Sequence, residues 1–108
     1  MKVDVQEPAH DDLVRQFRYY LLTCNLPDIA LRFEDAVEQT IRSLCQTPLI
    51  GPHYPLVNKQ LQNLRSWPII GFEAIKIYYV VDQDVDTIHI IRVIHGKRDV
   101  KNILEETQ

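Results

Sequence analysis

The chain has 108 residues, a net charge of −3 at pH 7, and 45% hydrophobic and 25% charged residues. These values are typical of a globular protein, and we expect residues 1–108 to form a single domain. No apolar run approaches the roughly 20 residues that span a bilayer, and the N-terminus lacks the apolar core of a secretion signal, so we expect no membrane association and a cytoplasmic location. The acidic net charge argues against a protein whose main task is to bind a nucleic-acid backbone.

The cysteines and histidines do not form the pattern of a metal site. Cys24 and Cys45 are predicted at the far ends of two antiparallel helices, about 25 Å apart at 1.5 Å per residue, which is beyond disulfide reach. No Cys or His pair has zinc-finger spacing, and the four histidines are scattered along the chain. The sequence therefore predicts free thiols, no metal and no cofactor.

The first half of the chain predicts a strand and a helical hairpin. Val3 and Val5 alternate with polar residues over Lys2 to Gln6, Pro8 begins a helix, and Asp28 is a reasonable cap for a second helix. The apolar stripes expected to be buried are Leu13, Val14, Phe17, Tyr20, Leu21 and Cys24 on the first helix, and Ala30, Phe33, Val37, Ile41 and Leu44 on the second. These stripes need a sheet as a shared cover.

The second half predicts that sheet. After an irregular connection from Pro48 to Pro55, a strand over Lys59 to Arg65 is the weakest assignment, because its two leucines do not alternate cleanly. Trp67-Pro68 and Gly71 predict a turn into a long hairpin, and Val100 to Glu106 predict a short helical turn. We therefore expect an α+β fold in which an N-terminal strand and an α-helical hairpin pack on a three- to four-stranded antiparallel sheet, in the order β-α-α-β-β-β.

The long hairpin joins the runs Ile75 to Val81 and Thr87 to Ile94, and it ends in a basic turn, His95-Gly-Lys-Arg-Asp99. We expect Val81 opposite Thr87, which places Lys76 opposite Arg92. In that register an apolar outer face remains, and a partner chain is expected to cover it. This face consists of Tyr78, Val80, Ile88 and Ile90.

Several polar residues of this region have two interpretations each. Lys76 and Arg92 are either a functional basic pair or ordinary exposed cations. His95 is either an acid or base near neutral pH or a hydrogen-bonding anchor of the turn. Arg98 and Asp99 are expected to form a local ion pair.

Two further residues precede the hairpin. Arg65 either contacts a partner or pairs with a carboxylate on the helices. Trp67 is either a lid on the core or an interface anchor. Tyr79 is expected to be a core residue.

Four features of the sequence resemble the RelE/ParE superfamily of bacterial type II toxins, and more closely its ParE-like, plasmid-stabilisation branch. Their order and spacing cover nearly the whole chain. They are Pro8-Ala-x-x-Asp-Leu13, Leu44-x-x-x-Pro48-x-x-Gly51, Leu64-Arg65, and Ile75-x-Ile-x-Tyr79 followed by Arg92-Val-Ile-His-Gly-x-Arg-Asp99.

The resemblance implies a small toxin that is neutralised by a cognate antitoxin, as a homodimer or as a heterotetramer with that antitoxin. The RelE-like branch cleaves messenger RNA in the ribosome, whereas the ParE-like branch poisons DNA gyrase and needs no nuclease site. A third possibility is an inactive relative that retains only antitoxin binding.

Carrying the nuclease positions over to this sequence leaves an incomplete site. Lys76 and Arg98 match phosphate-binding arginines of the RelE-like branch, and His95 could assist them. Leu61 and Asn63 stand where that branch has lysines, and Leu104 stands at its C-terminal tyrosine. The resemblance therefore favours a gyrase-directed toxin, with an mRNA endoribonuclease as the alternative. For partner or target binding the candidates are Arg65, Trp67, Tyr78, Ile90, Arg92 and Lys97.

Overall fold

The structure, a computed structural model, describes residues 1–55 and 63–106. The elements in chain order are strand β1 (Lys2–Val5), helix α1 (Glu7–Arg18), a π-helical segment (Tyr19–Thr23), helix α2 (Pro27–Gln46), strands β2 (Arg65–Ile69), β3 (Phe72–Asp82) and β4 (Thr87–His95), and helix α3 (Val100–Glu106). This is the predicted α+β fold, including the C-terminal helical turn. None of the described helices is long and apolar enough to cross a bilayer.

The four strands form one sheet in the order β1-β4-β3-β2. The pairs β2–β3 and β3–β4 are antiparallel as predicted, whereas β1 pairs with β4 in parallel, so the sheet is mixed. Of the strand predicted over Lys59 to Arg65, residues 59–62 lie outside the described residues, and β2 begins at Arg65.

Two local boundaries differ from the predictions. Asp28 does not cap α2, because the helix already begins at Pro27 and its N-cap residue is Leu26. Trp67 and Pro68 lie within β2 rather than in a turn. An edge strand tolerates a proline there, since its outer side has no ladder that needs the missing N–H. The chain reverses at Gly71, whose φ of 79° suits glycine.

The β3–β4 hairpin has a different register from the predicted one. Asp82, rather than Val81, lies opposite Thr87, and the pairing then skips Ile91, so that Tyr78 lies opposite Arg92. Such a β-bulge sets two residues of one strand against one residue of the other. The predicted register was one residue off at the turn, and it was two residues off beyond the bulge because it assumed an unbroken alternation along β4.

The sheet separates two apolar clusters. The main cluster fills the space between the helical hairpin and the sheet, and its members include Phe33, Leu44, Ile77, Tyr79, Ile88 and Ile90. The second cluster lies on the opposite face beneath α3, and it contains Leu64, Tyr78, Ile91, Ile94, Val100 and Leu104.

The outer apolar face predicted for the hairpin is therefore not exposed. Tyr78 is only 2% exposed, because residues of α3 and Leu64 cover it, and Ile90 is fully buried in the main cluster. Ile88 and Ile90 face the main cluster because Asp82, rather than Val81, lies opposite Thr87, and this register moves both residues to the face of Tyr79 and Val81.

A buried carboxylate joins α1 to β4. Asp12 accepts hydrogen bonds from Arg92 Nε at 2.7 Å and Nη2 at 2.8 Å, and from the backbone N–H of Val93 at 2.9 Å. Because β1 ends at Val5, Asp12 satisfies a β4 N–H that no strand reaches. Hydrogen bonding to Asp12 also raises the pKa of Arg92.

We expect Asp12→Asn to lower the free energy of unfolding by about 3 kcal/mol, because it leaves a largely buried guanidinium without its carboxylate. The Arg92 side chain is 15% exposed and that of Asp12 is 2% exposed. Urea denaturation of the purified protein measures the change.

A matched control is the ion pair between Glu38 and Arg42, which has the same 2.7 Å separation but side chains that are 64% and 75% exposed. Glu38→Gln should cost less than about 1 kcal/mol. Equal losses in the two variants would contradict the proposed role of burial.

Candidate functional site

A wide concave surface lies between the two long helices, and we call it the interhelical groove. Its volume is about 940 Å³. Apolar and sulfur-containing side chains form much of its wall, and they include Val14, Phe17, Leu21, Leu22, Ile41 and Cys45. The stripe predicted to be buried on the first helix is thus only partly covered. Leu22, which is not part of that stripe, also lines the groove and is 70% exposed.

Charged residues also line this groove. Basic groups come from His10, Arg18 and Arg42, while acidic groups come from α2. A groove with apolar walls and charges of both signs suits an amphipathic helix. The sequence contained a signal for it: the apolar stripe of α1 and the π-helical segment is wider than one contact with a sheet requires, because Leu13 is followed by Val14 and Leu21 by Leu22.

The basic turn is held by backbone contacts at the end of β4. The Gly96 N–H donates to the Ala74 carbonyl at 2.7 Å, and the Arg98 N–H donates to the His95 carbonyl at 3.1 Å. His95 Nδ1 accepts a hydrogen bond from the Lys97 N–H at 3.3 Å. His95 thus anchors the turn, as one of its two interpretations predicted.

Two of the three nuclease candidates, Lys76 and His95, lie on different faces of the sheet. Lys76 is paired with Ile94, and His95 is paired with Ile75. Because side chains alternate along a strand, Lys76 lies on the face of the second cluster and His95 lies on the face of the main cluster. Leu104 is fully buried, so the position of the family's C-terminal tyrosine offers no proton donor or acceptor.

Lys97 and Arg98 are exposed at the tip of the basic turn. The expected ion pair between Arg98 and Asp99 is not among the ion pairs of the described residues. Asp99 instead accepts a hydrogen bond from the Asn102 amide at 2.6 Å, at the start of α3. Both cations therefore remain available to an external partner.

Arg65 holds the connection that follows α2. Its Nη1 donates to the carbonyls of Leu49 at 3.1 Å and Gly51 at 2.7 Å. Its Nη2 lies 3.1 Å from His53 Nε2, and since arginine can only donate, the histidine nitrogen accepts. Neither predicted interpretation of Arg65, a partner contact or a pair with a helix carboxylate, describes these contacts.

Tyr79 completes the same attachment from within the core. Its hydroxyl donates to the Pro48 carbonyl at 2.8 Å and accepts the Gly51 N–H at 3.0 Å. Tyr79 is fully buried, as predicted for a core residue, and burial raises its pKa. Burial likewise raises the pKa of the neighbouring Tyr78 to about 12, so both phenols stay protonated near neutral pH.

Trp67 was predicted to be either a lid on the core or an interface anchor, and its surroundings have features of both. Its half-buried ring packs against the main cluster. It also lines a cleft between α2 and β2 together with Ile50 and Ile70, which are 46% and 55% exposed. Trp67 is therefore a lid on the core that still reaches the surface.

In the described part of the chain, no three His, Cys, Asp or Glu side chains are placed to bind a metal ion. Cys24 and Cys45 are both free thiols.

We expect Gly51→Ala to destabilise the protein by about 1–3 kcal/mol, because a β-carbon would lie in a space that is already filled. That atom would be 2.5 Å from the Ser66 carbonyl oxygen and 2.6 Å from Tyr79 Oη. Thermal or urea unfolding measures the loss. Adding Tyr79→Phe should not restore stability, since the Ser66 carbonyl remains.

Gly96→Ala is the matched control. Its added methyl group would lie 3.3 Å from the flexible Lys76 side chain and at an ordinary contact distance of 3.5 Å from the Ala74 carbonyl, and it should change stability by less than about 0.5 kcal/mol. If Gly51→Ala is equally harmless, the close approach of Gly51 to Tyr79 has no energetic importance.

Comparison with solved structures supports the fold. The chain resembles a chain of the chromosomal ParDE toxin-antitoxin system from P. aeruginosa, with a TM-score of 0.66 and 18% sequence identity. The match covers 88% of this chain and 95% of that chain. No curated protein matches the sequence significantly.

Comparison with protein families supplies the identity. The family described as the ParE toxin of the type II toxin-antitoxin system parDE matches residues 3–100. This range includes all four features on which the resemblance was based. The chain therefore belongs to the ParE toxin family of type II toxin-antitoxin systems.

Proposed function

We propose that this toxin acts by binding DNA gyrase, and that a cognate antitoxin neutralises it by placing an amphipathic helix in the interhelical groove. The proposal that an antitoxin helix binds here rests on the groove itself, whose apolar walls have no cover within the described residues. An amphipathic helix buries its apolar side chains in such a groove and leaves its polar face in water.

The proposed contact with gyrase is the basic turn. Lys97 and Arg98 are exposed and form no ion pair within residues 1–55 and 63–106, so they can meet acidic groups of a protein target. A partner reaches Trp67 at a separate site, the cleft that it shares with Ile50 and Ile70, and tryptophan is a frequent interface anchor.

The other candidate contacts are already used within the fold. Arg92 pairs with Asp12, Arg65 holds the connection after α2, and Tyr78 and Ile90 are buried. We therefore assign these four residues to the stability of the toxin rather than to its target surface.

The arrangement of the nuclease candidates supports the gyrase proposal over RNA cleavage. Cleavage through a 2′-hydroxyl needs an acid, a base and a stabilised phosphate at one place. Lys76 and His95 lie on opposite faces of the sheet, and Leu104 cannot transfer a proton.

Leu22→Glu should weaken antitoxin binding by about 100-fold, because it places a carboxylate within the apolar wall of the groove. Calorimetry with the purified cognate antitoxin measures the affinity. In cells the variant should remain toxic but should escape neutralisation.

Leu31→Glu is the matched control, since Leu31 is also exposed on the helical hairpin, at 56%, but does not line the groove. It should bind the antitoxin as the unchanged chain does. Equal affinities for both variants would show that the antitoxin binds elsewhere.

The isolated toxin should inhibit supercoiling by gyrase and accumulate cleaved DNA, while messenger RNA in a translation assay remains intact. Lys97→Glu should weaken the inhibition by about 10-fold, because it reverses a charge at the proposed contact. Arg32→Glu, which changes an exposed cation on α2, should leave the inhibition unchanged.

The opposite pattern would overturn the choice of target. If the toxin cuts messenger RNA in ribosomal A sites and Arg98→Ala abolishes the cutting, the basic turn belongs to a nuclease.

A further inference from the structure

Strand β1 presents an open edge of the sheet. It is the terminal strand, it pairs only with β4 in the described part of the chain, and all four of its residues are exposed. An unpaired strand edge is a template for pairing with another strand.

The backbone of β1 fixes which residues face this edge. The N–H groups of Lys2 and Gln6 donate towards β4, to the carbonyls of Asp86 and Ile90. Because backbone direction alternates along a strand, the N–H and carbonyl groups of Val3 and Val5 point away from β4. These are the groups that a second strand would bind.

The side chains around Val3 are complementary to themselves. If a second copy of β1 approaches antiparallel with Val3 opposite Val3, Lys2 of each copy lies opposite Asp4 of the other. Opposite charges directly across an antiparallel pair are favourable. The same register makes the two Val3 residues a hydrogen-bonded pair, which agrees with the outward direction of their backbone groups.

The two charged side chains lie on one face of the sheet. Lys2 is paired with Thr87 and Asp4 with His89, whereas Val3 is paired with Ile88 of the main cluster. Lys2 forms no ion pair with a described residue, while Asp4 accepts from His89 Nδ1 at 2.8 Å. A second copy would therefore give Lys2 a carboxylate and give Asp4 a lysine partner in addition to His89.

We propose that two copies of this toxin associate through β1, antiparallel about a twofold axis at Val3, so that their four-stranded sheets form one continuous sheet. Such an isologous contact closes after two copies. The strand is short, and the interface lies below the usual size of stable complexes, so we expect dimers at protein concentrations of about 0.1 mM and above.

Sedimentation and amide hydrogen exchange on the isolated toxin, up to about 1 mM, test the proposal. The amides of Val3 and Val5 should become protected as the dimer forms, whereas the amide of Asp4, which faces β4, should be protected at every concentration. Lys2→Glu should weaken dimerisation by about 10-fold, because it places a carboxylate opposite Asp4 of the second copy. Lys101→Glu, with the same charge change on α3, should dimerise normally.

A mixture gives the sharpest result. Lys2→Glu and Asp4→Lys chains should each dimerise poorly alone but should form a heterodimer together, since every facing pair then has opposite charges. Protection of the residue 4 amide shows that β1 stays in the sheet in both variants.

Three results would overturn the proposal. They are a monomer at the highest concentration, a Lys2→Glu variant that dimerises as tightly as the unchanged chain, and Val3 and Val5 amides that become protected only when antitoxin is added. The last result would assign this edge to a strand of the antitoxin.

Discussion

The carboxylate of Asp12 is the constraint on which the arrangement of helices and sheet depends. It lies one turn into α1, yet it binds the side chain of Arg92 and the backbone of Val93 on β4. A single buried group thus sets the position of the helical hairpin relative to the sheet. Burial makes this contact strong in one specific sense: removing either partner leaves a largely buried charge less well compensated.

The residues that carry the family resemblance turn out to be mainly structural. Asp12 of the first feature meets Arg92 of the fourth, and Gly51 of the second meets both Arg65 of the third and Tyr79 of the fourth. Each feature therefore has its counterpart at a distant point of the chain. This explains why a sequence can resemble the family clearly while its nuclease positions are largely replaced.

Periodicity and turn residues were sufficient to predict the order of the elements and most of the core. They could not supply contacts between distant elements, such as Asp12 with Arg92, or the covering of Tyr78 by α3. The bulge did leave a trace, because Ile90-Ile91 interrupts the alternation of polar and apolar residues along β4. Ile88 and Ile90 were placed on an exposed face for a different reason: the predicted turn was one residue too long, with Val81 rather than Asp82 opposite Thr87.

The bulge in β4 amounts to one added residue, Ile91. If Ile91 is left out, residues 87–95 follow one uninterrupted alternation, so the strand is equivalent to a regular strand with one added residue. Because a bulge bends the strand and re-aims the side chains beside it, Ile91 shapes the backbone at Arg92 and Val93, which both bind Asp12. Replacing Ile91 by other residues would probe only its packing, whereas deleting it would probe the geometry that brings Arg92 to Asp12.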